Sequence, residues 1–441
     1  MHHMTTAQLD NAAALAPGFD ESARPAAAEP DPIKTRRDAA YARYLALPMP
    51  TSRDEEWRRT DPALFPFERF TPAPAPAPRA APAAAGPWDS EFDVVVAVGD
   101  DGYEICDNAG LLARGALMAL PLAEAARRRP DLIERYFQGP AYVKGPRKFS
   151  ALGDAFWRFG LFLYAPAKAV IPRGVLIRYA HARSGRSVLP RLLAVVDAQA
   201  ELTIAEHYES PADAELLAIT TRELYAGPGA VLRAASLQEW GAHTYHIGED
   251  WVRAERDARV EWVTLLLGGR VCKMMVSCDV CEPNASAQLS GLFFANGRQH
   301  VDQKTLQLHS APHTYSNLLY KGAVKDEGHS VYQGIIEAAP GAIKVDAYQM
   351  NNNLILSEGA RADSLPGLEI DADDLKCSHG ATFGNLDPNQ LFYLRARGLT
   401  EAEARQALVM AFFEEVIARV PHEFMRERVR EDVRRKCGDG A

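Results

Sequence analysis

From about Phe162 to Phe392 the chain is a succession of short runs rich in Val, Ile, Leu, Thr and Tyr, each closed by Gly, Pro, Asn or Asp. Ala194-Val195-Val196, Leu202-Thr203-Ile204, Trp262-Val263-Thr264-Leu265-Leu266 and Gly334-Ile335-Ile336 are examples. Strong amphipathic helices are scarce there. Many short strands with regular turn signals imply a sandwich, a barrel or a β-helix. The stretch is long for one sandwich, which favours a solenoid whose coils stack into one continuous core. No strict sequence repeat accompanies it.

The flanks differ in pattern. Residues 1–70 read as an N-terminal helical region, charged from Asp31 to Phe70, with Trp57 and Phe65 as apolar anchors. Residues 71–87 are a run of Pro and Ala, which predicts a semi-rigid, polyproline-like linker unable to pack a core. Residues 88–161 are mixed. Asp93 to Val98 reads as a buried strand, and Leu117–Arg127 and Asp131–Phe137 read as helices. Residues 162–392 form the β core, and 393–441 a C-terminal helical domain. There, Thr400-Glu401-Ala402-Glu403 is a capping box. The helix it opens carries Phe412, Phe413, Val416 and Ile417, apolar on more than one face. One face should cover the β domain and the other is open to a partner or to the second helix, His422–Lys436.

Composition excludes several classes of function. The formal net charge is -9, the opposite of a nucleic-acid-binding surface. No apolar run approaches the ~18 residues of a membrane span. No signal-peptide pattern opens the chain, which points to the cytoplasm; His2-His3 is compatible with a cloning remnant. Six cysteines in 441 residues are too sparse for a disulfide framework and fit a reducing compartment. Phosphate-loop, GxSxG and HExxH motifs are all missing, so any ATP-driven step belongs to another protein.

Three segments carry candidate chemistry. Cys278-Asp279-Val280-Cys281 has CxxC spacing. In a strand, however, Cys272 and Cys278 would face the core and Cys281 the other side, which favours structural thiols. His300, His309 and His313 match no common metal spacing, which favours a structural or interface role. In Asp373-Asp374-Leu375-Lys376-Cys377-Ser378-His379-Gly380, the thiol and imidazole stand at i and i+2. On a strand they share a face and could address one iron, zinc or copper(I) together. Two ligands leave a four-coordinate site half built. Parity also puts His379 on the more apolar face, where a hydrogen-bonded core histidine is the ordinary expectation, so both readings stay open.

A series of motifs in the C-terminal half resembles the SufB/SufD family of iron–sulfur cluster assembly proteins, SufD most of all. They are Gly297-Arg298-Gln299-His300-Val301-Asp302, Ser316 with Tyr320-Lys321-Gly322, and Tyr348-Gln349-Met350-Asn351-Asn352-Asn353. Pro366-Gly367-Leu368-Glu369-Ile370, Lys376-Cys377-Ser378-His379-Gly380-Ala381-Thr382 and Phe392-Tyr393-Leu394-Arg395 follow. Upstream, Glu55-Glu56-Trp57-Arg58 and Lys148-Phe149 resemble the family more weakly. The missing N-terminal cysteine cluster separates the chain from SufB, since Cys106 is the only cysteine before Cys272.

The resemblance implies a right-handed parallel β-helix core between N-terminal and C-terminal helical domains. It implies a non-enzymatic scaffold paired with a SufB-like subunit through the β-helices. A SufC-like ATPase would dock on Thr400–Val420, with Phe412, Phe413, Val416 and Ile417 as candidate contacts. His379, with Cys377 as the less certain member, would be a ligand to iron or a transient iron–sulfur cluster at the subunit junction. None would be held tightly by the isolated chain, which is expected to pair with itself when its partner is missing. The rival readings are a β-helix enzyme acting on polysaccharides, with Asp371, Asp373 and Asp374 as its nearest acidic cluster, and a homodimeric structural protein without cluster chemistry.

Overall fold

A computed structural model describes residues 19–25, 29–79, 86–139 and 147–438. His2-His3 and residues 80–85 of the Pro/Ala run lie outside the described residues. The protein is mainly β, a parallel solenoid of about 8 turns with helices at both termini. Successive strands alternate between two sheets. The first sheet runs from Met118–Pro121 to Arg361–Ile370, the second from Gly102–Asp107 to Lys376–Gly384. Apart from the antiparallel pairs at the upstream end, the strands pair in parallel with equivalent residues in register, such as Val271↔His300↔His329. The second sheet takes in Val94–Gly99, which pairs in parallel with Val175–Ala180.

Because register is kept, each interior position becomes a row along the axis. One row reads Ala234, Trp262, Leu289, Leu318, Gln349, His379; another reads Leu232, Val260, Ala287, Ser316, Ala347, Cys377. Their upstream members belong to the main core cluster. Stacking like on like removes apolar surface from water at every coil, although no coil repeats its neighbour's sequence. The turns into the second sheet need a left-handed residue. Gln199, Asp257, Asn284, His313, Lys344 and Asp374 fill that position, with φ near 60°.

The outer faces of the two sheets are covered by different ends of the chain. On the first sheet lies the N-terminal region, whose Trp57, Phe65, Phe67 and Phe70 join Phe149, Leu193, Leu217 and Ile247 in one cluster. The Glu55-Glu56-Trp57-Arg58 motif is the clamp. Lys273 donates to the carbonyl of Glu56 at 2.8 Å, and its ammonium lies 4.8 Å from the Trp57 ring centre. Lys148 donates to the carbonyl of Leu47 at 2.6 Å, and burial lowers its pKa to about 8. On the second sheet lies the C-terminal hairpin, Glu401–Ile417 and Glu423–Gly438, packed against Leu265, Leu292 and Leu319. The capping box at Thr400 and Glu403 is formed in both directions.

The Pro/Ala run does not act as a free spacer in its described part. Thr71–Pro72 pairs with Arg186–Ser187, Ala73 N–H donates to the carbonyl of Ser187, and Tyr103 N–H donates to that of Ala77. A chain with few N–H groups still offers carbonyls, and the free edges at the upstream end of the solenoid supply the donors.

Candidate functional site at the open end of the solenoid

Strands Arg361–Ile370 and Lys376–Gly384 are the last members of their sheets, and no further strand pairs with them among the described residues. The interior rows therefore end in the open. Cys377 and His379 point into the solenoid interior, as strand parity requires, yet no coil stacks above them. His379 is exposed and Cys377 half-buried. The expected core histidine is thus an interior histidine without a lid. Below them stand Ala347 and Gln349, both buried. Both amide atoms of Gln349 lack a partner among the described residues, so the floor beneath His379 is polar.

The motif around them is built by close contacts. Asp374 makes the left-handed turn, and its carboxylate pairs with Lys344 at 2.6 Å. At Gly380 a Cβ would stand 2.9 Å from the end of the Met350 side chain, which would have to shift to admit a larger residue. Thr382 donates to Asn352 at 2.7 Å. Partial burial raises the Cys377 thiol above its ordinary range, with Asp346 adding to the effect. No hydrogen-bond partner serves the His379 ring among the described residues, which leaves its nitrogens available to a ligand.

Around the pair, the open rung carries apolar side chains. Leu368 and Ile370 end interior rows of the first sheet, and Phe383 one of the second. Phe383 is 47% exposed and Phe392, on the following helix Pro388–Ala396, 75%. That helix buries none of its residues. Two unpaired sheet edges and an apolar patch converge at one end, a combination that natural proteins avoid leaving in water.

The family model described as "SUF system FeS cluster assembly, SufBD core domain" matches residues 179–412. The chain belongs to the SufBD family. An iron–sulfur cluster assembly SufBD family protein of Mycobacterium tuberculosis is 37% identical over 215 residues, 47% of this chain and 54% of that protein. SufD of Escherichia coli is 32% identical over 242 residues, 55% of this chain and 57% of its own. A SufBD family protein of Synechocystis is 26% identical over 425 residues, 94% of this chain and 93% of the relative. The chain spans about half the length of the first of these relatives.

The other sequence candidates sit apart from this end. Cys272 and Cys278 are buried in the interior, and burial pushes both thiols well above the ordinary range. Cys281 lies past the strand end, donates to the carbonyl of Ala254 and is pushed up to about 12 by burial. Burial of this kind disfavours the thiolate that redox exchange needs. The three histidines do not meet. His313 is a turn residue. His309 bonds Thr314 and Ser316, each at 2.7 Å, and burial lowers it to about 4. His300 bonds Thr60 at 2.9 Å beneath the N-terminal region. Asp302 receives Thr60 and Lys273, so His300 and Asp302 of the Gly297–Asp302 motif form a buried dock for the N-terminal segment. Single-sequence reasoning missed this role because the partner, Thr60, carries no motif of its own.

Phe413, Val416 and Ile417 are fully buried against the second sheet, and Phe412 is half-buried under the ammonium of Lys321. The face expected to receive a partner therefore packs on the solenoid. The outward face of this helix carries Glu401, Ala407, Ala411 and Glu415. The reason is area: the outer face of the second sheet is itself apolar and takes the widest apolar stripe of the hairpin. Asp371, Asp373 and Asp374, the nearest acidic cluster, belong to a turn. No group of three or more His, Cys, Asp or Glu side chains could hold a metal ion among the described residues. No described helix is long and apolar enough to cross a membrane.

Proposed function

We propose that this chain is a SufD-like scaffold of an iron–sulfur cluster assembly complex. It would work with a SufB-like subunit and a SufC-like ATPase, and be non-catalytic itself. The reading is carried by one observation: Cys377 and His379 end interior rows on the last rung of the solenoid, His379 exposed and Cys377 half-buried. Two ligands of soft and borderline character fit iron or a nascent cluster as cargo, and they leave coordination positions for a second subunit. The unpaired edges, with Leu368, Ile370, Phe383 and Phe392, supply the surface on which a second solenoid would seat and bring the missing ligands. His379 is the preferred ligand, because it is exposed and its ring has no partner among the described residues, whereas the Cys377 thiol is half covered and partial burial raises its pKa.

The ATPase would meet the outward face of the hairpin rather than Phe413, Val416 and Ile417. A pull on the hairpin reaches the solenoid through Lys321, which donates to the carbonyl of Phe412 at 2.9 Å and pairs with Glu415 at 2.8 Å. Lys321 lies on the strand two coils before the one that carries His379. Packed interfaces switch rather than deform continuously, so such a pull could open or close the junction.

Co-expression with SufB-like and SufC-like proteins, pull-down, and an anaerobic absorbance spectrum test the reading. Co-purification with iron–sulfur absorbance is the expected result. A chain that pairs only with itself and raises no such absorbance when both partners are supplied would sink it, and turnover of a uronic-acid polymer would favour the polysaccharide enzyme instead.

A further inference from the structure

The opposite end of the solenoid, away from Cys377 and His379, holds a cavity of about 340 Å³. Its roof is the strap Ala73–Ala77. The strap is tied down at its ends, where Ala73 N–H donates to the carbonyl of Ser187 at 2.8 Å and the carbonyl of Ala77 accepts from Tyr103 at 2.9 Å. Between the ties, Pro74 and Pro76 have no N–H to donate, and the Ala75 N–H makes no backbone hydrogen bond among the described residues. Phe159, Val188 and Pro190 make the walls apolar.

The charges that line it do not balance. Asp100 is spoken for: His181 Nδ1 lies at 3.0 Å, and the N–H groups of Ala182 and Arg183 donate at 2.8 and 2.9 Å. Burial opposes its ionisation, but these bonds outweigh it and hold its pKa at about 2. Asp101 takes the guanidinium of Arg183 at 3.0 Å. Two further arginines line the cavity outside any ion pair among the described residues, although Glu29 lies within electrostatic range of Arg158. Arg186 bonds Thr71 Oγ1 at 3.0 Å. Arg158 bonds the carbonyl of Ala23, and its Nε is buried without a partner among the described residues. Ser187, fully buried in the same wall, has a hydroxyl without a partner among the described residues.

A half-buried guanidinium outside any ion pair, as at Arg158, is costly, and the planar fork of N–H donors of either arginine matches an oxyanion. We propose that the chamber under the Pro/Ala strap binds a small molecule bearing a carboxylate or phosphate, its oxyanion held by Arg158, Arg186 and Ser187 and its body against Phe159, Val188 and Pro190. The Pro/Ala run then has a purpose: it roofs a site with two residues, Pro74 and Pro76, that have no N–H to compete for a bound oxyanion.

Inorganic phosphate and benzoate are the probes, titrated calorimetrically into the full chain at millimolar concentration. Binding of phosphate alone assigns a phosphate ligand, and binding of benzoate alone assigns a carboxylate with an apolar body. Either affinity should fall about tenfold in Arg186→Gln, the loss expected for a charge-assisted hydrogen bond. Arg186 is exposed, so this variant should melt as the wild type does without ligand. Ser187→Ala removes only an unpartnered hydroxyl and gives a second variant that folds. Failure of both probes to bind would overturn the proposal, as would binding unchanged in both variants.

Discussion

Asp432 of the C-terminal hairpin and Glu239 of the second sheet meet across the seam between helix and solenoid. Arg428 lies between them, with Nη2 2.7 Å from Glu239 Oε1 and Nε 3.8 Å from Asp432 Oδ2. His207 Nε2 stands 2.7 Å from the other oxygen of Glu239, and Arg435 pairs with Asp432 from the solvent side. Burial, then the neighbouring Glu239 carboxylate, push the Asp432 carboxyl up to about 7 against the pull of both arginines. Glu239 moves the other way: burial opposes it, but His207 and Arg428 win and lower its pKa. Arg428, which reaches both carboxyl groups, ties the hairpin to the sheet.

That latch makes stability depend on pH with a definite sign. An aspartate raised from about 4 unfolded to near 7 folded stabilises fully below the lower value and loses its contribution as pH rises toward the upper one. Raising the pH from 5 to 7.5 should cost on the order of 2 kcal/mol, read as a lower urea midpoint. Asp432→Asn, which keeps a donor toward Glu239, should flatten the slope in that window. An equal slope in the variant would place the titration elsewhere.

His379→Ala is expected to leave the fold untouched. An exposed side chain without partners costs within about 0.5 kcal/mol when truncated. Cluster yield in the reconstituted complex should fall strongly, while co-purification of the partners persists. Cys377→Ser should cost less of the yield. Full cluster absorbance from the His379 variant would remove it from the site.

Phe383→Asp places a charge in the middle of the apolar open end. If a second solenoid seats there, complex formation should weaken at least about a hundredfold, since a charge buried in an interface without a partner costs several kcal/mol. The melting temperature of the isolated chain should barely move. Analytical ultracentrifugation with the SufB-like partner reads both the complex and any self-pairing through the same edges.

Inside the solenoid, Arg222 bridges Glu206 and Asp250 and donates to Ser236 at 2.8 Å, with all four side chains buried. Arg222→Met would leave two carboxylates facing each other and should cost about 3–5 kcal/mol. Adding Glu206→Gln and Asp250→Asn should recover most of it. Denaturant midpoints for the single and triple variants check the pair.

Much of the site was legible because strand parity is a local property. Alternation placed Cys272 and Cys278 inward, and Cys377 with His379 on one interior face, before any coil was stacked. Parity could not say whether an inward residue is covered, since that depends on whether another coil follows. His300 and Asp302 looked like ligands for the same reason that they are structural: polar groups spaced at i and i+2 on one face suit a metal and a buried threonine equally well. Phe413, Val416 and Ile417 were legible as an apolar stripe. Which surface would claim the stripe was a question of the area offered by the outer sheet.

By itself, the sequence determined the strand-rich centre, the helical flanks, the capped hairpin and the shared face of Cys377 and His379, because each rests on periods of two or three to four residues along one chain. Tertiary stacking alone decided that this face ends in the open, that the Pro/Ala run roofs a chamber, and that Asp432 reaches Glu239. Those outcomes depend on where the last coil lies and on what packs beside it, and no local period carries that information.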